Sequence, residues 1–144
     1  MSGAERLYTP ELLALTLRLA EYPWNEAFPL KGSARSKSCG STLSIAAETD
    51  RTGAIAGLGM KIQACAVGQA SAAIFANEAK GRDLAAIGRT LDQMTHWLAG
   101  EGPLPEWPGF SAIEPARAFP GRHGAMLLPW QAALAALSST QPSD

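Results

Sequence analysis

Two cysteines are the residues of this chain best suited to chemistry with a metal or with sulfur. Cys65 lies where a β-strand pattern gives way to a helical one. Unpaired backbone N–H groups and the helix macrodipole at such a position favour the thiolate, the form that binds metal or attacks sulfur. Cys39 stands in Ser38-Cys39-Gly40-Ser41, where Gly40 leaves backbone room around the sulfur. The pattern also permits two ordinary buried or loop cysteines, and a separation of 26 residues is not a zinc motif by itself.

His123 is a third candidate ligand, in a predicted loop before the last helix. A lone histidine there is also typical of a surface or hydrogen-bonded side chain. His96 falls inside an amphipathic helix, off its main apolar stripe, and is interpreted as structural or solvated. The sequence contains no recognisable Ser-His-Asp triad, phosphate loop or paired-carboxylate site. We therefore predict that the protein is not an enzyme acting on a small molecule.

The periodicity of the apolar residues predicts the elements that must position these side chains. Thr9-Pro10-Glu11 is a helix start, and the polar, irregular stretch from Tyr22 to Lys37 leaves room for a short edge strand. Two alternating runs separated by the turn Asp50 to Gly53 predict an antiparallel hairpin. Three further helices are predicted: one from Ala66 to Lys80, one that begins after the cap Asp83, and one from about Met126 to Leu137. The proline-rich segment 101–121 is predicted to be a stiff, extended loop. The predicted fold class is α+β, a small antiparallel sheet with helices packed on one face.

Size and charge restrict the class of protein. A chain of 144 residues is predicted to form one domain over residues 1–137 with a flexible tail over 138–144. The net charge of −1 lacks the excess of basic residues that is typical of proteins that bind nucleic acid or an anionic membrane surface. No apolar run is long enough to span a membrane, and Glu5 and Glu11 fall where a secretory signal needs basic residues. These features predict a cytoplasmic protein, in which thiols or metal ligands are expected rather than a disulfide.

The order of several motifs resembles one family. Cys39-Gly40 precedes the hairpin, Cys65 opens a helix, Lys80-Gly81 is followed by the cap Asp83, and Phe119-Pro120-Gly121-Arg122 comes before the last helix. This order resembles the iron–sulfur cluster scaffold proteins of the NifU N-terminal, IscU and SufU type, over nearly the whole chain. The 26-residue separation of Cys39 and Cys65 is the one that family uses for its first two ligand cysteines. The loop before Phe119, with Trp130 after it, is closer to the SufU branch.

The resemblance also marks two departures from the family's ligand set. Ser41 stands where the family has an aspartate that ligates metal or tunes cluster transfer. The family's third ligand cysteine is absent. Alignment on Phe119 to Arg122 places that cysteine at Ala125. An alignment shifted by one residue places the cysteine at Gly124 and the family's histidine at His123. Two thiolates and His123 are fewer than the four ligands that a [2Fe–2S] cluster or tetrahedral zinc takes.

The resemblance implies an iron–sulfur cluster assembly protein in which Cys39 and Cys65, with His123, bind iron, a nascent cluster or transferred sulfur. The implied partners are a cysteine desulfurase and acceptor apo-proteins, with Arg122 as an electrostatic contact to partner or cluster. A homodimer could pool the two cysteines of each chain. Two alternatives remain open: a cluster-free adaptor that docks on a desulfurase, and a zinc-bound sulfur acceptor like SufU.

Overall fold

One antiparallel sheet forms the framework of the molecule, which the computed structural model describes over residues 7–37 and 40–139. The strands are β1 (Leu30–Arg35), β2 (Thr42–Thr49) and β3 (Ile55–Gln63), in that order. Leu43 and Ile45 are buried on the inner face, as their alternation with polar residues predicts. The predicted hairpin of β2 and β3 is confirmed, and β1 is the edge strand for which the sequence left room. The short turn between β2 and β3 places Gly53 at a φ of +89°, which favours glycine.

Four α-helices are found in the described part of the chain: α1 (Pro10–Leu17), α2 (Ala66–Asn77), α3 (Leu84–Leu98) and α4 (His123–Ser138). Thr9 caps α1 by accepting a hydrogen bond from the amide of Leu12 at 3.0 Å. Asp83 caps α3 in the same way through the amide of Ala86 at 2.9 Å. Each cap satisfies a backbone donor that the first helical turn leaves unpaired, so both predicted helix starts are confirmed.

The helices cover the inner face of the sheet, which confirms the α+β prediction. Helix α4 lies against β1 and β2, and both α2 and α3 pack on α4. Aromatic rings fill the space between the helices and the segment before α4. Their centroids lie 5.2–5.9 Å apart in stacked and edge-to-face pairs, the separations that aromatic rings prefer. The members of this aromatic cluster are Phe75, Trp97, Trp107, Phe110 and Trp130.

The segment that leads into α4 differs from the predicted extended loop. Residues Phe110–Ala118 and Pro120–Arg122 form 3-10 turns, and α4 begins at His123 rather than near Met126. Prolines exclude a long α-helix but fit short 3-10 turns, because the fixed φ of proline, about −65°, lies within the range of these turns. Pro129 therefore lies inside α4, where it removes one i→i−4 hydrogen bond. The helix continues to Ser138, and the rest of the predicted tail, from residue 140, lies outside the described residues.

Within the part of the chain that the structure describes, every helix is too short or too polar to cross a lipid bilayer.

Candidate metal and sulfur site

The register between β2 and β3 brings the two cysteine-bearing segments to one end of the sheet. Thr42 pairs with Gln63, so the start of β2 lies beside the end of β3. Cys39 precedes Thr42 by three residues and Cys65 follows Gln63 by two. Cys39 itself lies outside the described residues. The antiparallel pairing nevertheless places the chain on either side of Cys39 at the same end of the sheet as Cys65.

The described part of the turn around Cys39 is held by backbone hydrogen bonds. The amide of Ser36 donates to the carbonyl of Ser41 at 2.8 Å, and the amide of Gly40 donates to the carbonyl of Ser36 at 3.0 Å. Gly40 has a φ of +72°, a conformation that a side chain rarely adopts. The glycine after Cys39 is therefore required by the turn that joins β1 to β2. Ser41, the residue that the resemblance aligns with the aspartate of the scaffold proteins, is buried.

Cys65 is the N-cap residue of α2, as the sequence predicts. Its backbone is extended, with φ −66° and ψ 171°, and its side chain makes no capping hydrogen bond. The residue is half-buried and its thiol is not in a disulfide. Gln69 fixes the link from β3 to α2, because its amide donates to the carbonyl of Cys65 at 2.9 Å and its Nε2 donates to the carbonyl of Ala64 at 2.9 Å. The sulfur is thus left available while the backbone that carries it is held.

The first turn of α4 lies against the first turn of α2. A Cβ atom built on Gly68 would come within 2.8 Å of the Cβ of Ala64 and 3.3 Å of the Cβ of Ala125. Ser71 joins the same two helices by donating from its hydroxyl to the carbonyl of Met126 at 2.7 Å. Ala125, one of the two positions aligned with the family's third cysteine, is therefore buried beside the helix that Cys65 opens.

His123 is the first residue of α4, which corrects its predicted place in the preceding loop. Its Nε2 lies 2.7 Å from the carbonyl oxygen of Arg117. A carbonyl can only accept, so Nε2 must carry the proton and donate it. In the neutral ring the lone pair then belongs to Nδ1. Metal-binding histidines are commonly oriented in this manner, with the second nitrogen donating to a backbone carbonyl. Nδ1 is therefore the atom through which His123 could bind a metal.

The described residues do not contain a complete metal site. Within residues 7–37 and 40–139, no group of three or more His, Cys, Asp and Glu side chains is arranged to hold a metal ion. The donors that the structure describes at this end of the molecule are the thiol of Cys65 and the imidazole of His123, and Cys39 is the further donor that the sequence supplies. Thiolate sulfur and imidazole nitrogen both suit iron and zinc.

Three supporting groups at this end were not predicted from the sequence. Gln69 could have been noticed because it stands one helical turn after Cys65 on the same face. The carbonyl of Arg117 belongs to the backbone, and no residue type signals it. Tyr8 accepts a hydrogen bond from Nη2 of Arg122 at 3.4 Å and connects the segment before α1 to the start of α4. Arg122, predicted as an electrostatic contact, is half-buried and engaged by this tyrosine.

The chain has the fold of the NifU-like and SufU iron–sulfur scaffold proteins, so the predicted resemblance is confirmed at the level of the fold. The N-terminal part of a nitrogen-fixing NifU-like protein from Brucella abortus superposes with a TM-score of 0.86 at 24% identity, covering 95% of this chain and 96% of that one. An iron–sulfur cluster assembly scaffold protein of the SUF system from Fervidobacterium islandicum gives a TM-score of 0.81 at 17% identity, covering 92% and 97%.

A third solved structure, described only as a hypothetical protein, gives a TM-score of 0.70 at 18% identity and covers 88% of this chain. No protein-family model matches the sequence. No curated protein matches it either.

Proposed function

We propose that this protein is an iron–sulfur cluster assembly protein that receives iron, sulfur or a nascent cluster on Cys39 and Cys65, with Nδ1 of His123 as an additional ligand. The observation that carries the proposal is the pairing of Thr42 with Gln63, which brings both cysteine-bearing segments to one end of the sheet. The scaffold fold shared with the two neighbours supports the same role. The cluster is cargo, passed on to acceptor apo-proteins in the cytoplasm.

One chain has too few ligands to bind a cluster alone. One chain supplies two thiolates and one imidazole, whereas a [2Fe–2S] cluster takes four protein ligands. A twofold homodimer would supply four thiolates by pooling Cys39 and Cys65 of both chains. Sulfur would arrive from a cysteine desulfurase by exchange: a thiolate attacks the terminal sulfur of the desulfurase persulfide, the desulfurase thiolate leaves, and no net oxidation occurs.

The first test is anaerobic purification followed by measurement of iron, zinc and acid-labile sulfide in the wild type, Cys39→Ser and Cys65→Ser. We expect iron and sulfide in the wild type and their loss in both variants, because a serine hydroxyl is a far weaker ligand than a thiolate. His123→Ala is expected to weaken iron retention by about tenfold or more, the scale on which groups around a metal alter its affinity. His96→Ala, the other histidine of the chain, is the matched control and should retain iron.

Other results of this test would contradict the proposal in distinct ways. Zinc without sulfide, lost from both cysteine variants, would establish a zinc-bound sulfur acceptor instead. An absence of metal from every sample, under conditions that load an ordinary scaffold, would leave a cluster-free adaptor. That adaptor would bind its desulfurase equally well with both cysteines replaced by serine.

A second prediction separates the two alignments of the missing cysteine. We expect Ala125→Cys to bind more iron and sulfide than the wild type, because residue 125 lies against the first turn of α2, beside the helix that Cys65 opens. Iron and sulfide per chain after chemical reconstitution measure the effect. Gly124→Cys is the matched control, and a larger gain in this variant would favour the alignment that is shifted by one residue.

A further inference from the structure

The outer face of the sheet, turned away from the helices, carries exposed basic side chains. The register aligns Ser33 with Ser44 and Lys61 in one row, and Arg35 with Thr42 and Gln63 in the next. Arg35 and Lys61 are both exposed. Neither row contains a carboxylate, although the whole chain has a net charge of −1. We call this surface the basic face; its residues are Lys31, Ser33, Arg35, Thr42, Ser44, Lys61 and Gln63.

Two carboxylates, those of Glu26 and Glu48, lie near the basic face but do not neutralise the basic residues of its two cross-strand rows. Glu26 is paired with Lys31 at 2.8 Å and also accepts a hydrogen bond from the indole of Trp24 at 2.7 Å. The pKa of Glu26 lies below its ordinary value, chiefly because Lys31 donates to the carboxylate and because the Trp24 indole does so too. Glu48 is at the far end of β2, opposite Gly57 in the register. The positive charge therefore concentrates at Arg35 and Lys61.

An aromatic side chain borders this charge. The ammonium of Lys61 lies 4.4 Å from the centroid of the Trp24 ring, and Trp24 is half-exposed. Tryptophan and arginine are among the side chains that are enriched at protein interfaces. The other three tryptophans of the chain are buried. Trp24 thus lies outside the core, next to a charged surface.

Protection of a strand edge does not account for Lys61. Charged residues on edge strands commonly prevent pairing with another chain. The edge of β3 is already covered, because the amide of Met60 donates to the carbonyl of Tyr22 at 3.0 Å and Pro23 forms a bridge with Met60. Lys61 therefore has no open edge to protect at its neighbour Met60, and its exposed charge lies beside the Trp24 ring.

The basic face ends at the candidate site. Arg35 is the last residue of β1, directly before the turn that contains Cys39, and Gln63 is two residues before Cys65. We propose that the basic face docks an acidic, Asp- and Glu-rich surface of the protein that exchanges iron, sulfur or cluster with these cysteines. The proposal rests on the proposed function and adds the chemistry of the partner. An acidic protein is favoured over a nucleic acid because the chain as a whole is slightly acidic, with an isoelectric point of about 6.1.

The test is an NMR titration of the ¹⁵N-labelled protein with a short peptide of alternating Asp and Glu. We expect shifts of the Trp24 indole N–H and of amides in the two rows, with the three buried indoles unchanged. The shifts should weaken as salt is added, because exposed charges are screened. An isosteric Asn and Gln peptide should not bind. Binding of the acidic peptide elsewhere on the surface, or of a single-stranded oligonucleotide more tightly than the peptide, would overturn the proposal.

Charge-reversal variants separate this proposal from the proposed function. The double variant R35E/K61E is expected to lose peptide affinity by about tenfold or more, because it opposes like charges at the interface. Arg89→Glu, an exposed arginine of α3 in the helix layer, is the matched control and should bind as the wild type does. The neutral double variant R35Q/K61Q should also lose affinity for the peptide. It controls for the possibility that R35E/K61E loses affinity only because it misfolds. Equal binding by R35E/K61E and wild type would refute the docking face.

Chemical reconstitution with iron and sulfide needs no partner and provides the independent readout. R35E/K61E should load iron and sulfide as the wild type does, since neither side chain is a candidate ligand. Peptide binding at the basic face by a wild type that cannot be loaded would refute the scaffold function and leave the docking face standing. Normal loading without binding at the basic face would refute the docking face alone.

Discussion

Replacement of Trp130 by alanine will lower the free energy of unfolding by about 3–5 kcal/mol, the usual cost of truncating a buried aromatic side chain. Trp130 lies in α4 and is fully buried. Its ring meets Phe75, Trp107 and Phe110 with centroids 5.2–5.9 Å apart. The variant would leave a cavity between the helix layer and the 3-10 segment. Urea unfolding followed by circular dichroism measures the loss.

Two Trp→Phe variants provide the control for the aromatic cluster. The indole N–H of Trp107 donates to the carbonyl of Ile74 at 3.0 Å, whereas the buried N–H of Trp130 has no partner among the described residues. Trp107→Phe leaves a buried carbonyl without its donor, and Trp130→Phe removes a donor that was unsatisfied. We expect Trp107→Phe to be the more destabilising of the two by about 1–2 kcal/mol. The opposite order would show that Trp130 contributes more than packing.

Replacement of Gly32 by alanine is the second large effect that we expect, a loss of about 3 kcal/mol or more. A Cβ atom at residue 32 would lie 2.2 Å from the backbone nitrogen of Ala136 and 2.6 Å from the carbonyl oxygen of Ala132. Both atoms belong to the backbone of α4, so no side-chain rotation can relieve the contact. The helix would have to move away from β1, and its first turn carries His123.

Gly88→Ala is the matched control for this substitution, because it adds the same methyl group in the same fold. Its nearest neighbour would be the Cδ2 of Leu134, at an ordinary contact distance of 3.9 Å. Gly88 lies inside α3, where alanine is favoured over glycine by about 0.5–1 kcal/mol. Urea unfolding should therefore show a small gain for Gly88→Ala. A Gly32→Ala variant as stable as the wild type would mean that α4 does not approach β1 as closely as described.

These two sites bear on function because α4 serves both the core and the candidate site. Its middle carries Trp130, its last turns cross Gly32, and its first residue is His123. A shift of the helix would displace the imidazole of His123 from the carbonyl of Arg117. The hydrogen bond that keeps the proton on Nε2, and so leaves Nδ1 free for a metal, would then be lost. In Trp130→Ala and Gly32→Ala, the amount of iron retained should therefore fall together with the free energy of unfolding. Gly88→Ala should lower neither quantity.

The sequence was sufficient to predict the elements whose signals are local. Thr9 and Asp83 cap helices because their side chains satisfy amides within the same turn, and the alternation from Leu43 to Ala47 follows from a sheet with one buried face. The position of Cys65 at the start of α2 is local in the same sense. The resemblance to the scaffold fold came from the order of such signals along the chain.

Contacts between distant segments were decided by the tertiary structure. Nothing near His123 in the sequence indicates that its Nε2 donates to the carbonyl of Arg117, because the 3-10 winding of a proline-rich segment sets that distance. The basic face likewise depends on the register, which aligns Lys61 with Ser33 across three strands. Hydrophobic periodicity identifies which face of a strand is buried, but it does not say which polar residues of different strands become neighbours. Packing of the helices on the inner face fixes that register, and thereby the end of the sheet at which Cys65 and the turn containing Cys39 lie together.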